Sequence, residues 1–219
     1  MAVAGFNRRG WFTLAAFGWT AACKMAGKVS DSKVQDKDKP QGAPKDGVVV
    51  NELQLDYSIV LGDDDSSRSV NEQFTFRNGD RFRFRLRPGF EAHVYLLSRG
   101  ARQKEYMFLY PHKDIKQENP VPAKGVIEIP GPGTGWLTMD KVSGTEQLVL
   151  IASPSPLVEF NVPAKSIERE EFEERLSRVE RDYRPASSRR LENGGWVSLL
   201  ASRGPRTAMV VRLPLDHRS

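Results

Sequence analysis

The chain is poor in the residues that build disulfide frameworks and metal sites. Its 219 residues include one cysteine and three histidines, and the histidines lie far apart, at positions 93, 112 and 217. A single cysteine excludes a disulfide framework and any zinc site built on paired cysteines. Histidines so widely separated show no recognisable metal-ligand spacing, so we expect neither a metal nor a cofactor.

Catalytic motifs and a strong charge excess are also lacking. The sequence contains no Gly-x-Ser-x-Gly elbow, no His-Glu-x-x-His run and no phosphate-binding loop, so we predict that the protein is not an enzyme. Lys and Arg total 33 against 28 Asp and Glu, a net charge of +5 that is small for a nucleic-acid-binding protein. A chain of this length that is 39% hydrophobic and 28% charged suits one principal globular domain with appendages.

The first 22 residues have the features of an export signal. Arg8 and Arg9 precede an apolar stretch from Trp11 to Ala22, and no acidic residue interrupts them. The paired arginines resemble a twin-arginine signal, but Asn7 stands where Ser or Thr is usual, so the export route stays open. A membrane-spanning helix is the weaker alternative, because the apolar stretch is far shorter than the ~20 residues that such a helix needs.

The position of the only cysteine predicts a lipid anchor. The segment Thr20-Ala21-Ala22-Cys23 resembles a bacterial lipobox, in which cleavage follows Ala22 and Cys23 is acylated. Leu is usual at the Thr20 position, and the alternative is an ordinary signal peptide with Cys23 as an incidental thiol. The resemblance, with Lys rather than Asp after the cysteine, favours the outer membrane, facing the periplasm. Residues 23–47 are rich in Lys, Asp, Gly and Pro and lack aromatic residues, which predicts a disordered tether.

Residues 48–160 predict a mostly β domain. Apolar side chains recur at every second position from Leu53 to Leu61, the pattern of a half-buried strand. Further strands are predicted within this range at Ala92–Ser98, Glu105–Tyr110, Gly125–Ile129 and Gln147–Ser153, and after it at Trp196–Ser202 and Thr207–Leu213. Short strands with frequent Gly and Pro turns are typical of an antiparallel β-sandwich.

Residues 161–219 predict a helix followed by a β-hairpin, packed on or beside that domain. Phe172, Leu176 and Val179 form a narrow apolar stripe, so the helix is amphipathic and lies on the surface. Ser166 is the predicted N-cap, and Pro185 marks the end. The last two predicted strands then form a C-terminal hairpin.

An alternating arginine segment is the candidate binding site. Phe82, Phe84 and Leu86 share one face of a predicted strand, and the other face carries Arg81, Arg83, Arg85 and Arg87. On one interpretation this is a solvated sheet face, some of whose charges meet Asp or Glu on adjacent strands. On the other it binds an anionic partner: a polymer, a lipid headgroup or an acidic protein surface. Nucleic acid is not expected, because the aromatic side chains belong in the core and the chain is exported.

A family resemblance rests on several short motifs in order. They are Asn78-Gly79-Asp80, Ala92–Leu97, Leu109-Tyr110-Pro111, Ile129-Pro130 and Glu146–Ser153. With these, residues about 70–155 resemble the bacterial family called domain of unknown function 4384, although His112 stands where that family often has Asn. The resemblance implies a β-sandwich module that binds or scaffolds in envelope and signalling proteins, and it brings no catalytic residues.

These observations lead us to expect a non-catalytic, exported, lipid-anchored bacterial envelope protein. It would bind or scaffold an envelope protein or an anionic polymer and reach the membrane through Cys23. The alternatives are an envelope-sensing accessory module of a signalling or secretion system and, last, an uncharacterised hydrolase.

Overall fold

The computed structural model describes residues 52–62, 66–112, 119–131, 133–161, 165–193 and 195–219. The predicted signal, Cys23 and the tether lie outside these residues. The strands are β1 (Glu52–Gly62), β2 (Ser67–Val70), β3 (Phe76–Arg77), β4 (Arg81–Pro88), β5 (His93–Arg99), β6 (Glu105–Tyr110), β7 (Ile127–Ile129), β8 (Leu137–Thr138), β9 (Gly144–Ser153), β10 (Ser166–Glu168), β11 (Ser188–Asn193), β12 (Trp196–Ser202) and β13 (Met209–Arg218). The helix α1 (Arg169–Asp182) lies between β10 and β11.

The strands form two sheets. The first sheet has the order β11-β12-β1-β4-β7, with β2 also paired to β1 and β8 to β4. The second has the order β10-β6-β5-β9-β13-β3. The strand pairs are antiparallel except for β13 with β3, which are parallel. The predicted mostly β, sandwich-like fold with one helix is therefore confirmed.

The main core lies between the two sheets, where the period-two patterns place it. Strand β4 buries Phe82, Phe84 and Leu86 completely, and β1 and β9 bury alternate apolar side chains against them. Because side chains of a strand alternate between faces, the arginines of β4 lie on the outer face of the first sheet. The hydrophobic alternation thus fixes the orientation of the candidate site.

The helix packs on the outer face of the second sheet and forms a second core there. Phe172, Leu176 and Val179 are fully buried, and the Phe172 ring stacks on that of Tyr106 with 3.8 Å between centroids. The prediction that Ser166 caps the helix was wrong. Residues Ser166–Glu168 pair with the edge of β6, and these backbone bonds outweigh the local capping preference. None of the helices in the part of the chain that the structure describes is long and apolar enough to cross a bilayer.

The C-terminal strands divide between the sheets. The sequence predicted that Trp196–Ser202 pairs with Thr207–Leu213, whereas the hairpin is formed by β11 and β12. Strand β13 crosses to the second sheet and pairs with β9, where Leu213 and Leu215 enter the main core. Residues after the helix therefore supply an inner strand to each sheet.

Candidate binding face

The outer face of the first sheet presents four arginines in one row. They are Arg81, Arg83, Arg85 and Arg87 of β4, which lies between β1 and β7. We use the name arginine face for these four side chains together with those that contact them, Asp56, Glu128, Trp136 and Trp196. Because β4 is an inner strand held on both sides, the row is built on a rigid element.

Glu128 of β7 joins two neighbouring members of the row. Ile127 and Ile129 are buried, so Glu128 between them points to the outer face beside Arg85, its cross-strand partner. Its carboxylate accepts a hydrogen bond of 2.6 Å from Nε of Arg85 and one of 3.0 Å from Nη1 of Arg83. Burial alone would raise the pKa of Glu128, but these hydrogen bonds and charges outweigh it and hold the pKa below its ordinary value.

Asp56 of β1 is the second carboxylate in the row. Its Oδ2 accepts hydrogen bonds from Nε and Nη2 of Arg87 at 3.0 and 2.8 Å. Its Oδ1 accepts from Gln54 at 2.9 Å and from the Ser198 hydroxyl at 2.7 Å. Burial raises the pKa of this carboxyl group, yet the three hydrogen-bonding partners together lower it below its ordinary value. Asp56 is therefore a fully satisfied buried anion.

Two indole rings cover part of the arginine face. The guanidinium of Arg83 lies 3.7 Å from the Trp136 ring centroid, and that of Arg81 lies 5.7 Å from the same ring. The guanidinium of Arg87 lies 5.0 Å from the Trp196 ring. Such contacts attract a cation to the face of an aromatic ring. Arg83 is covered by the Trp136 ring and forms an ion pair with Glu128, so only 15% of its side chain is exposed. We therefore assign Arg83 a structural role rather than a binding role.

The face retains a positive excess despite these pairs. The face holds four guanidinium groups but only two carboxylates, and Arg85 and Arg87 keep 41% and 46% of their side chains exposed. Three of the four arginines meet a carboxylate on an adjacent strand, as the first of the two sequence interpretations describes. The binding of an anionic partner stays a prediction, and the exposed edges of Arg85 and Arg87 are where such a group would bind.

One of the two sequence interpretations expected carboxylates on adjacent strands, but it did not identify Asp56 and Glu128, and the indoles were missed. Asp56 and Glu128 each lie between apolar residues of a strand. This pattern indicates that their side chains point to the outer face, but it does not tell which residues they contact there. Only the sheet order brings them to β4, because they are 31 and 43 residues distant from the arginines that they bind.

A second polar cluster, also missed, is enclosed between the sheets. The His217 Nδ1 lies 3.5 Å from Oε1 of Glu146, and its Nε2 lies 2.9 Å from Oδ1 of Asn78. Glu146 and His217 are each only 2% exposed. Burial, reinforced by Asp140 and opposed by Arg99, raises the pKa of Glu146 to about 9. His217 is in phase with the buried Leu213 and Leu215, which is the one sequence signal that indicated its burial.

This cluster is closed to ligands, and the other histidines lie elsewhere. His93 begins β5, where burial outweighs the nearby Glu91 and lowers its pKa. His112 follows β6. Across the described ranges, no three His, Cys, Asp or Glu side chains lie together in a way that could hold a metal ion.

A comparison with protein families assigns the middle segment of the chain to a family. Residues 75–156 match the family model described as "Domain of unknown function (DUF4384)", so this segment is a domain of that family. The match runs from just before β3 to just after β9. Neither the curated proteins nor the solved structures gave a match.

Proposed function

Since residues 75–156 form a DUF4384 domain, we propose that the chain is a non-catalytic bacterial envelope protein whose β-sandwich binds or scaffolds an envelope component. The arginine face is the observation that carries this proposal. It presents a row of cations on a rigid inner strand, and carboxylates hold the guanidinium groups of Arg83, Arg85 and Arg87 in place. Side chains held in advance lose little entropy on binding, which favours recognition of an anionic group.

The geometry of the row favours a linear anionic polymer as the partner. Successive arginines of β4 are two residues apart, so their side chains leave the strand at intervals of about 6.6 Å. A polymer with repeated carboxylate, phosphate or sulfate groups can lie along such a row and meet the exposed edges of Arg85 and Arg87 in turn. An acidic protein surface is the other class of partner that the same charges would accept.

We further propose that the chain is exported and anchored to the outer membrane through acylated Cys23, facing the periplasm. The support is the signal-like segment of residues 1–22 and the position of the only cysteine directly after Ala22. Labelling of growing cells with a palmitate analogue tests the anchor. The native chain should incorporate label and Cys23→Ala should not; equal labelling of the two contradicts the proposal.

Binding to an immobilised polyanion tests the face. We expect the mature chain to be retained on a dextran sulfate column and released by salt, because exposed charges are screened within about 10 Å at 0.1 M ionic strength. The double variant Arg85→Gln with Arg87→Gln should bind at least fivefold more weakly. The control is Arg178→Gln with Arg181→Gln, which removes the same charge from exposed positions on the helix.

The binding experiment has three informative outcomes for the arginine face. Weaker binding of the β4 variant alone supports the proposal. Equal loss in both variants indicates that total charge rather than the arginine face governs retention, and it contradicts the proposal. No retention of the native chain, combined with capture of an acidic envelope protein that depends on Arg85 and Arg87, replaces the polymer with a protein partner.

A further inference from the structure

The two sheets differ at their edges in a way that singles out one strand. The edge strands β2, β3, β7, β8 and β10 have only two to four residues each. Short edge strands are one way in which proteins prevent pairing with other chains. Strand β11 has six residues, and each of them is exposed. Within the residues that the structure describes, β12 is the only strand paired with it.

The backbone of β11 offers hydrogen-bonding groups to a further strand. The Ser202 N–H donates to the Ser187 carbonyl at 2.9 Å, which places these two residues in a hydrogen-bonded pair one step before β11. In an antiparallel ladder such pairs alternate along the strand, so odd-numbered residues of β11 direct their backbone groups to β12. The N–H and C=O groups of Ser188, Arg190 and Glu192 therefore point away from the sheet.

The side chains of β11 complement a second copy of the same strand. Two copies related by a two-fold axis perpendicular to the sheet pair antiparallel and keep the same face outward. With the axis at Leu191, that residue lies opposite Leu191 of the second copy. Arg190 then lies opposite Glu192 of the second copy, and Glu192 opposite Arg190. One register thus joins two apolar side chains and two pairs of opposite charge, which stabilise neighbouring strands.

The side chains that would meet across the axis are partly exposed, although Arg190, with 35% of its side chain exposed, also forms an ion pair with Glu72 of its own copy. Leu191 is 53% exposed and is one of three large apolar residues exposed to this degree in the described part of the chain. Glu192 accepts hydrogen bonds from Arg190 of its own copy at 3.1 and 2.8 Å, yet 47% of its side chain stays exposed. The same register makes Arg190 and Glu192 the hydrogen-bonded pairs, as the outward direction of their backbone groups requires.

We propose that two copies of this chain associate through β11 and join their first sheets into one continuous sheet. Four backbone hydrogen bonds form between Arg190 and Glu192 of the two copies, with the Leu191 pair on the two-fold axis. The contact is small, so the dimer is weak and dissociates on dilution. The contact uses the β11 edge of the first sheet, which β12 and β1 separate from the arginines of β4, and it does not depend on the proposed function.

Disulfide trapping tests the register residue by residue. The full chain carrying Cys23→Ser has no thiol, and single cysteines are introduced into it. At Leu191→Cys the two Cα atoms of a non-hydrogen-bonded pair are about 4.5 Å apart, within the range of a disulfide. At Arg189→Cys the two copies of the residue are offset by four positions, about 13 Å along the strand, and cannot be bridged.

The expected pattern is specific. Leu191→Cys forms a covalent dimer under mild oxidation at least tenfold faster than Arg189→Cys or Asn193→Cys alone. A mixture of Arg189→Cys and Asn193→Cys again gives a dimer, because those positions are opposite each other. Equal cross-linking at all positions, or none at Leu191→Cys, overturns the proposal.

Sedimentation of the unmodified chain gives an independent test. We expect concentration-dependent dimerisation that Leu191→Asp weakens at least tenfold, since it places two carboxylates opposite each other. The control Val158→Asp adds the same charge at a position that is 75% exposed and lies beside Glu171 and Glu174 of the helix, and it should dimerise like the native chain. Circular dichroism confirms that both variants are folded. A native chain that stays monomeric, including one that captures a strand of another protein instead, overturns self-pairing.

Discussion

Replacement of Glu146 by Gln should stabilise the protein, although the residue is buried and contacts His217. A carboxyl group with 2% exposure cannot be ionised without a large loss of hydration. Burial therefore raises its pKa from the ordinary 4.5 to about 9. The amide of Gln has nearly the same shape and does not ionise, so it removes the proton linkage with little change in packing.

The magnitude follows from the two pKa values of Glu146. Between pH 4.5 and 9 the unfolded chain releases a proton that the folded chain retains, so folding stability falls as pH rises. The slope is about 1.4 kcal/mol per pH unit. The raised pKa of Glu146 therefore lowers the free energy of unfolding by about 3 kcal/mol at pH 7 and by less than about 1 kcal/mol near pH 5. Glu146→Gln should therefore unfold like the native chain at pH 5 and at clearly higher urea concentration at pH 7 and 8.

Urea denaturation at half-unit steps from pH 5 to 9 measures the effect. The control is Glu174→Gln, whose side chain is 70% exposed in an ion pair with Arg178 and whose removal should change stability by less than about 0.5 kcal/mol. Parallel pH profiles for the native chain and Glu146→Gln would refute the reasoning. They would indicate that burial does not keep the Glu146 carboxyl group neutral in the folded chain.

Three further effects can be measured by the same denaturation assay. Asp56→Asn should cost about 2–3 kcal/mol of folding free energy, because it removes a buried carboxylate that accepts several hydrogen bonds. The control Asp216→Asn removes a carboxylate that pairs with Arg218 and is 45% exposed, and it should cost less than about 1 kcal/mol. Equal costs would contradict the buried role of Asp56. Phe172→Ala should cost about 3–5 kcal/mol through the cavity beneath the helix, against less than about 0.5 for exposed Val158→Ala. Gly144→Ala should cost at least about 2 kcal/mol, because φ at this residue is +148° and the added Cβ would lie 2.4 Å from the Cβ of Ala101. An unchanged stability would contradict this close approach.

Patterns that depend on a few neighbouring residues were predicted well. The alternation of Phe82, Phe84 and Leu86 with arginines gave both the strand and its orientation, because the two faces of a strand have opposite environments. The predicted limits of β6 and β12 agree with the structure residue for residue. The apolar stripe of the helix is likewise buried as expected.

Features that depend on strand pairing were not predictable from local sequence. Ser166 has the chemistry of an N-cap, but the free edge of β6 offers its segment more hydrogen bonds as a short strand. A Gly and Pro turn after β12 is compatible with a hairpin, yet β13 gains more by entering the main core beside β9. In both cases a distant partner competes with the local preference, and no single-segment pattern contains that partner.

The arginine face shows how far the family segment accounts for the candidate site. Arg83, Arg85, Glu128 and Trp136 all lie within residues 75–156, so the part of the face at β7 is built by that segment alone. Asp56 and Trp196, which contact Arg87 at the other end, and Ser198, which donates a hydrogen bond to Asp56, come from β1 and β12 outside it. The flanking strands thus complete both the sheet and the site. The residues that orient Arg87, one of the two most exposed cations of the row, are therefore features of this chain rather than of the family segment.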